Sequence, residues 1–174
     1  MKLFPAALFS LLLSGLLMAT PVLAERADRN QPLHLESDSA TVDDATQTSV
    51  FTGRVVLTQG TLVIRADKMT VKQDDRGFQY ATASGNPASF RQKREGLDEY
   101  VEGWGERMEY DSKADKVQLF GQARLKRGQD ETNGNYISYD AVSEFFQVTG
   151  GKEAATKANP GGRVRAVIQP KNKP

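Results

Sequence analysis

The chain has 174 residues, with 23 basic and 22 acidic side chains and a formal net charge of +1. This balance gives no support for nucleic acid or an anionic membrane surface as the main partner. Cysteine is absent, which excludes a disulfide framework and requires a buried core to hold the fold together.

The first segment, residues 1–24, reads MKLFPAALFSLLLSGLLMATPVLA. One charge at Lys2 precedes an apolar run, and Val22-Leu23-Ala24 forms a small-residue cleavage site. This pattern predicts a cleaved secretory signal peptide. The alternative is a retained membrane anchor, but the apolar run is short and is interrupted by serine, glycine and proline. We therefore expect an exported chain of about 150 residues that begins near Glu25, enough for one domain.

A glycine recurs at a regular distance behind alternating segments of the chain. Three of these glycines lie 11 residues after a residue of the preceding alternating segment, in the pairs Val42 and Gly53, Tyr110 and Gly121, and Tyr139 and Gly150. Gly85 lies 14 residues after Val71, and the excess fits a longer turn at 73–77. Glycine weakens a strand and typically marks a bulge or a bend. We therefore predict strands that are bent at four glycines, namely Gly53, Gly85, Gly121 and Gly150.

The segments around these glycines alternate apolar and polar residues with a period of two, from Leu33 and Leu35 to the run at 117–125. Such alternation over many short segments indicates an antiparallel sheet with one buried face. The turns between them begin near aspartate, which satisfies nearby backbone groups. Repeated strand units stack or fold face to face to bury their apolar side. The sequence predicts an all-β protein, a single open β-jelly roll of repeated antiparallel strand units bent at glycines.

Residues that could carry catalysis are few. The chain has no cysteine and a single histidine, His34, which alternates away from its leucine neighbours and is expected on the polar face. The carboxylate pairs Asp43/Asp44 and Asp74/Asp75 fall in predicted turns, where turn formation explains them. No metal-binding helix motif or serine elbow is found. We therefore predict no catalytic residue, no metal site, no cofactor and no enzymatic activity.

Aromatic and basic side chains leave two interpretations open. Trp104 is either a platform for stacking a sugar or a partly buried packing residue. The basic clusters at 91–94 and 126–127 either contact the phosphates of a lipid head group or lie on a solvated edge. Charges at such an edge also discourage unwanted strand pairing.

Four stretches carry a family resemblance, namely NQPLHLESDSATVD, FTGRVVLTQGTLVIRADKMTV, GNPASF and EGWGERMEYD. They resemble the periplasmic lipopolysaccharide-transport protein of the LptA type, the OstA-like β-jelly-roll family. The resemblance implies a periplasmic carrier that binds lipopolysaccharide and supports outer-membrane assembly. It also implies inner-membrane and outer-membrane jelly-roll components as partners, and an ATP-driven partner that provides the driving force for transport.

The resemblance also implies a lipid-binding groove. Leu33, Leu35, Phe90 and Tyr110 match positions of the family's lipid-lined groove, although a jelly roll needs apolar side chains for its core in any case. Burial of acyl carbon is worth about 0.8 kcal/mol per CH₂, so a continuous apolar trough would shield the chains of lipid A from water. A periplasmic carbohydrate-active enzyme on a jelly-roll scaffold and a purely structural filament are the alternatives.

The two ends of the domain are expected to offer unpaired strands. We predict a jelly-roll domain over 25–168 and a flexible tail over 169–174. Unpaired edges recruit further strands, and two different edges would join head to tail into open chains. Alternatively, the last strand caps the core and the protein stays monomeric. The predicted edge residues are Leu33, Leu35, Val164, Ala166 and Ile168.

Overall fold

The structure, a computed structural model, describes residues 28, 30–75, 77–152 and 155–170. The predicted signal peptide at 1–24 and the end of the predicted tail at 171–174 lie outside the described residues, so the domain boundaries stay predictions. The strands are β1 (Leu33–Glu36), β2 (Ser39–Asp43), β3 (Thr48–Gln59), β4 (Leu62–Asp74), β5 (Gly77–Lys93), β6 (Tyr100–Asp111), β7 (Lys116–Arg127), β8 (Asp130–Asp140), β9 (Phe145–Thr149) and β10 (Arg165–Val167).

All the strands belong to one antiparallel sheet. Strands β3 to β8 each pair with the next strand along the chain. Both β1 and β2 pair with β3, and both β9 and β10 pair with β8, so each edge of the sheet consists of two short strands. The all-β fold predicted from the period-two alternation is confirmed.

A line of register shifts crosses the long strands and divides the sheet into two leaves. The shifts lie between Thr52 and Val55 in β3, and at corresponding points in the strands up to β8. We call this line the crease. Leaf A comprises β1, β10 and residues 55–59, 62–66, 88–93, 100–105, 123–127 and 130–134; leaf B comprises β2, β9 and residues 48–52, 68–74, 77–84, 107–111, 116–120 and 136–140.

Two of the predicted bend glycines adopt the left-handed backbone conformation at the crease. Gly53 has a φ of 81° and Gly121 a φ of 72°, and each is followed by a second residue with positive φ, Arg54 and Gln122. This region suits glycine because it has no Cβ, and an extra residue with such a conformation makes a bulge that bends a strand. The local backbone therefore turns β3 and β7 from one leaf into the other.

The other two predicted bend glycines differ in their positions relative to the crease. Gly85 lies in the register shift between Ser84 and Ala88. At Gly150 the structure differs from the prediction, because β9 ends at Thr149 and the chain leaves the sheet there before it returns as β10. The sequence analysis missed Gly134, which lies at the crease in β8.

The leaves fold face to face, and their inner side chains form one core. The ring of Phe90 in leaf A stacks on that of Tyr139 in leaf B, with 6.4 Å between the centroids and 21° between the planes. Gly103 lies beside Phe90, and a Cβ at this glycine would stand 2.2 Å from the phenyl ring and 2.9 Å from Leu119. The close contact of the leaves therefore depends on a missing side chain in β6.

The turns farthest from the crease follow the predicted aspartate chemistry. Asp111 Oδ1 accepts hydrogen bonds from the backbone N–H groups of Lys113 at 2.9 Å and Ala114 at 3.1 Å. Asp140 Oδ1 accepts one from Ser143 at 2.8 Å, and this backbone donor lowers the pKa of Asp140. These turns form the rim of leaf B. The rim of leaf A lies opposite, and we call the line along which the two rims approach each other the mouth.

Candidate functional site

The predicted groove residues in the first strand lie at the N-terminal end of the interior. Leu33 and Leu35 in β1 are half-buried and pack against the core, as does Phe51 in β3. Residues on the other face of β1, such as His34, are exposed. Leu33 and Leu35 are therefore apolar side chains that belong to the interior and remain accessible from one end of it.

Phe90 and Tyr110, the other predicted groove residues, lie in the packed core, each 2% exposed. Tyr110 packs on Phe78, with 5.8 Å between ring centroids, and its hydroxyl donates a hydrogen bond to Asp115 Oδ1 at 3.3 Å. Both side chains therefore belong to the packed core of this structure. Their contact with lipid stays a prediction.

The C-terminal end of the interior mirrors the N-terminal end. Phe146 and Val148 in β9 are half-buried and pack against the core. Between the two ends, side chains such as Leu57, Ile64 and Leu119 are fully buried. The interior is therefore a continuous apolar layer whose side chains become partly accessible at both ends of the sheet.

An ion pair joins the rims of the two leaves across the mouth. Arg94 directly follows the leaf A end of β5, and Glu144 lies in the turn between β8 and β9 on leaf B. Arg94 Nε donates to Glu144 Oε1 at 2.8 Å and Nη2 donates to Oε2 at 2.6 Å, while Nη1 donates to Glu99 of its own turn at 2.5 Å. The pairing raises the pKa of Arg94 and lowers that of Glu144. We call the Arg94–Glu144 pair the clasp.

Trp104 and Arg94, for which the sequence leaves two interpretations open, both have partners within the protein. The guanidinium of Arg124 lies 3.9 Å from the centroid of the Trp104 ring, which suits a cation–π contact. Arg94 was expected to contact lipid phosphates or to lie on a solvated edge, but it pairs with Glu144 and its side chain is only 14% exposed. Within the described ranges, no group of three or more His, Cys, Asp or Glu side chains could hold a metal ion.

The last strand lies on the sheet edge without covering the core. Strand β10 pairs with β8 in leaf A, and all its residues are exposed. The sequence predicts a strand from Val164 to Ile168, but both residues fall outside β10; Val164 is 44% exposed and Ile168 is 78% exposed.

Among the described residues, the structure contains no helix with the length and hydropathy of a membrane-spanning segment.

Comparison with known proteins identifies the family. A sequence model described as "LptA/(LptD N-terminal domain) LPS transport protein" matches residues 34–145. The chain belongs to this family. It is 31% identical to the lipopolysaccharide export system protein LptH of Pseudomonas aeruginosa over 163 residues, which covers 92% of each chain. It is 34% identical to LptA of Escherichia coli over 162 residues, which covers 91% of this chain and 83% of that protein.

A solved structure supports the same assignment. The crystal structure of LptH from Pseudomonas aeruginosa superposes with a TM-score of 0.73 at 31% identity, covering 82% of this chain and 99% of that chain. LptH is the LptA-homologous periplasmic component of the conserved lipopolysaccharide transport device of that organism. The creased sheet described above is therefore an LptA-family jelly roll, as the resemblance implied.

No pattern in the sequence of this LptA-family domain predicts the clasp. Its two residues are 50 positions apart in the chain, and neither stands in a recognisable motif. Arg94 falls within the basic cluster at 91–94, and no neighbouring residues mark Glu144. Only the approach of the two rims brings them together.

Proposed function

We propose that this protein is a periplasmic lipopolysaccharide carrier that shields the acyl chains of lipid A between its two leaves on the way from the inner to the outer membrane. The observation that carries the proposal is the continuous apolar interior with partly accessible ends, at Leu33 and Leu35 on one side and Phe146 and Val148 on the other. Family membership supports it, because the relatives are named lipopolysaccharide export proteins.

Energetics favours such a trough over diffusion of the lipid through water. Each CH₂ of an acyl chain adds about 0.8 kcal/mol to the free energy of transfer from an apolar environment to water. Moving a chain of about a dozen methylenes through an aqueous compartment is therefore strongly unfavourable. A buried apolar layer removes that barrier without any chemical step. The protein therefore needs no nucleophile or metal of its own, and the driving force comes from an ATP-consuming partner.

Photocrosslinking tests the carrier function directly. A photoreactive amino acid at Leu35, whose side chain packs against the core, is expected to crosslink to purified lipopolysaccharide. The same probe at His34, on the exposed face of the same strand, is expected to crosslink far less. Equal labelling from both positions would contradict an interior lipid site. A carbohydrate-active enzyme or a structural filament would give no interior label.

The two open edges support a bridge built from jelly-roll units. Strands β1 and β2 form one edge of the sheet and β9 and β10 the other, and unpaired strand edges recruit further strands. Because the edges differ, contacts between them join copies head to tail and do not close into a ring. The same edges would pair with jelly-roll components on the inner and outer membranes.

Truncation separates the two interpretations of the last strand. Deleting 162–174, which removes β10, is expected to abolish concentration-dependent oligomers in sedimentation experiments while leaving a folded monomer that binds lipid. The deletion is expected to be tolerated because the residues of β10 are exposed. The control deletes only 169–174 and keeps β10, so its oligomers should persist. Oligomers that survive the longer deletion would show that β10 is not the joining edge.

A further inference from the structure

A lipid carried in this way requires an open slot along the mouth. This step rests on the proposed function: acyl chains travel between the leaves while the polar head group stays in water. The bond that links head group and chains must then pass between the two rims. Any side-chain bridge from rim to rim interrupts that path, because neither an oligosaccharide nor a phosphate can enter the apolar interior at an acceptable cost.

The clasp is such a bridge. Arg94 belongs to leaf A and Glu144 to leaf B, and two parallel hydrogen bonds of 2.8 and 2.6 Å join them. Bidentate pairs of arginine and carboxylate are strong and directional. The side chains are 14% and 33% exposed, so solvent screens the pair only in part. Arg127 adds a second contact between the leaves, with its guanidinium 5.3 Å from the Phe146 ring centroid.

The surface around the clasp is mixed in polarity. Leu97 lies in the turn of Arg94 and is 45% exposed, and Val142 lies near Glu144 and is 53% exposed. Beside the clasp is a cleft of about 640 Å³, lined mainly by polar and charged side chains, Arg94 and Glu144 among them. A lining of this kind suits the polar head group of a lipid that passes along the mouth.

We propose that the clasp is a gate. It holds the rims together while the interior contains no lipid, and it opens when lipopolysaccharide moves into the C-terminal end of the interior. A partly exposed ion pair suits this task, because water and a passing anionic group can replace its partners. Behind it, the buried contact of Phe90 with Tyr139 still joins the two leaves. Opening is therefore confined to the rim.

Locking the mouth with a cleavable crosslink tests the gate. The chain has no native cysteine, so Arg94→Cys/Glu144→Cys can be joined selectively by a short bifunctional methanethiosulfonate. A direct disulfide would be too short for a pair of such long side chains. We expect the locked protein to bind purified lipopolysaccharide at least about tenfold more slowly than the same protein after reduction, as for other gated sites.

A matched control crosslinks the same position within one rim. Arg94→Cys/Glu99→Cys removes the clasp equally, but Glu99 lies in the turn of Arg94, where its carbonyl accepts from the Arg94 N–H at 3.0 Å. This crosslink should leave the binding rate unchanged. Equal rates for the locked and the reduced Arg94→Cys/Glu144→Cys protein would overturn the gate.

A second variant tests the gate without crosslinking. Glu144→Gln removes the charge that pairs with Arg94 across the mouth, and is expected to bind lipopolysaccharide several-fold faster than the parent chain. Glu99→Gln, on the same rim as Arg94, should match the parent. A Glu144→Gln rate equal to the parent's would overturn the gate while leaving the carrier function intact. A parent chain that does not bind lipopolysaccharide would overturn both.

Discussion

Replacing Phe90 with alanine is expected to lower the free energy of unfolding by about 3–5 kcal/mol, the range for truncating a buried aromatic side chain. Phe90 is 2% exposed and stacks on Tyr139 of the opposite leaf. The truncation removes this contact and leaves a cavity between the leaves, beside Gly103, which offers no side chain to fill it. Denaturant unfolding monitored by circular dichroism measures the loss.

The matched control is Phe145→Ala in β9. Phe145 is 66% exposed, and truncation of an exposed side chain changes the free energy of unfolding by less than about 0.5 kcal/mol. The comparison also separates two views of Phe90. A phenyl ring that only lined an open lipid groove would be removed at little cost to folding, so a change near that of Phe145→Ala would contradict its place in the core.

Replacing Leu35 with aspartate is expected to weaken lipopolysaccharide binding at least about tenfold, because the ion would face hydrocarbon and lose its hydration. Leu35 is half-buried in the edge strand β1 and packs against the core. At this edge the carboxylate can turn towards water when no lipid is bound, so the fold should survive. Titration with labelled lipopolysaccharide measures the loss.

The control for Leu35→Asp is His34→Asp. It introduces the same carboxylate into the same strand, but on the exposed face, and should bind lipid like the parent chain. Far-ultraviolet circular dichroism verifies that both variants fold. A folded Leu35→Asp protein with the parent's affinity would show that Leu35 does not contact the lipid.

Local patterns in the sequence predicted the sheet and the place of the crease in three of the six strands that it crosses. The alternation of side chains predicts antiparallel strands because successive residues of a strand point to opposite faces. Gly53 and Gly121 predict bends because glycine weakens a strand and tolerates a left-handed backbone, and in the structure they adopt φ values of 81° and 72°. At Gly150 the same inference failed, because a glycine that ends a strand and one that bends it look alike in sequence.

The all-β class, the repeated units and the family can be predicted from the chain alone, since each depends on residues close together in sequence. Tertiary packing is needed to tell which apolar residues are buried and which are accessible, and it separates Phe90 in the core from Leu35 at the edge. The partner of Arg94, 50 residues away on the other leaf, also emerges only from the folded chain. Alternation along one strand shows which residues share a face, but the crease sets which side chains of the opposite leaf that face contacts.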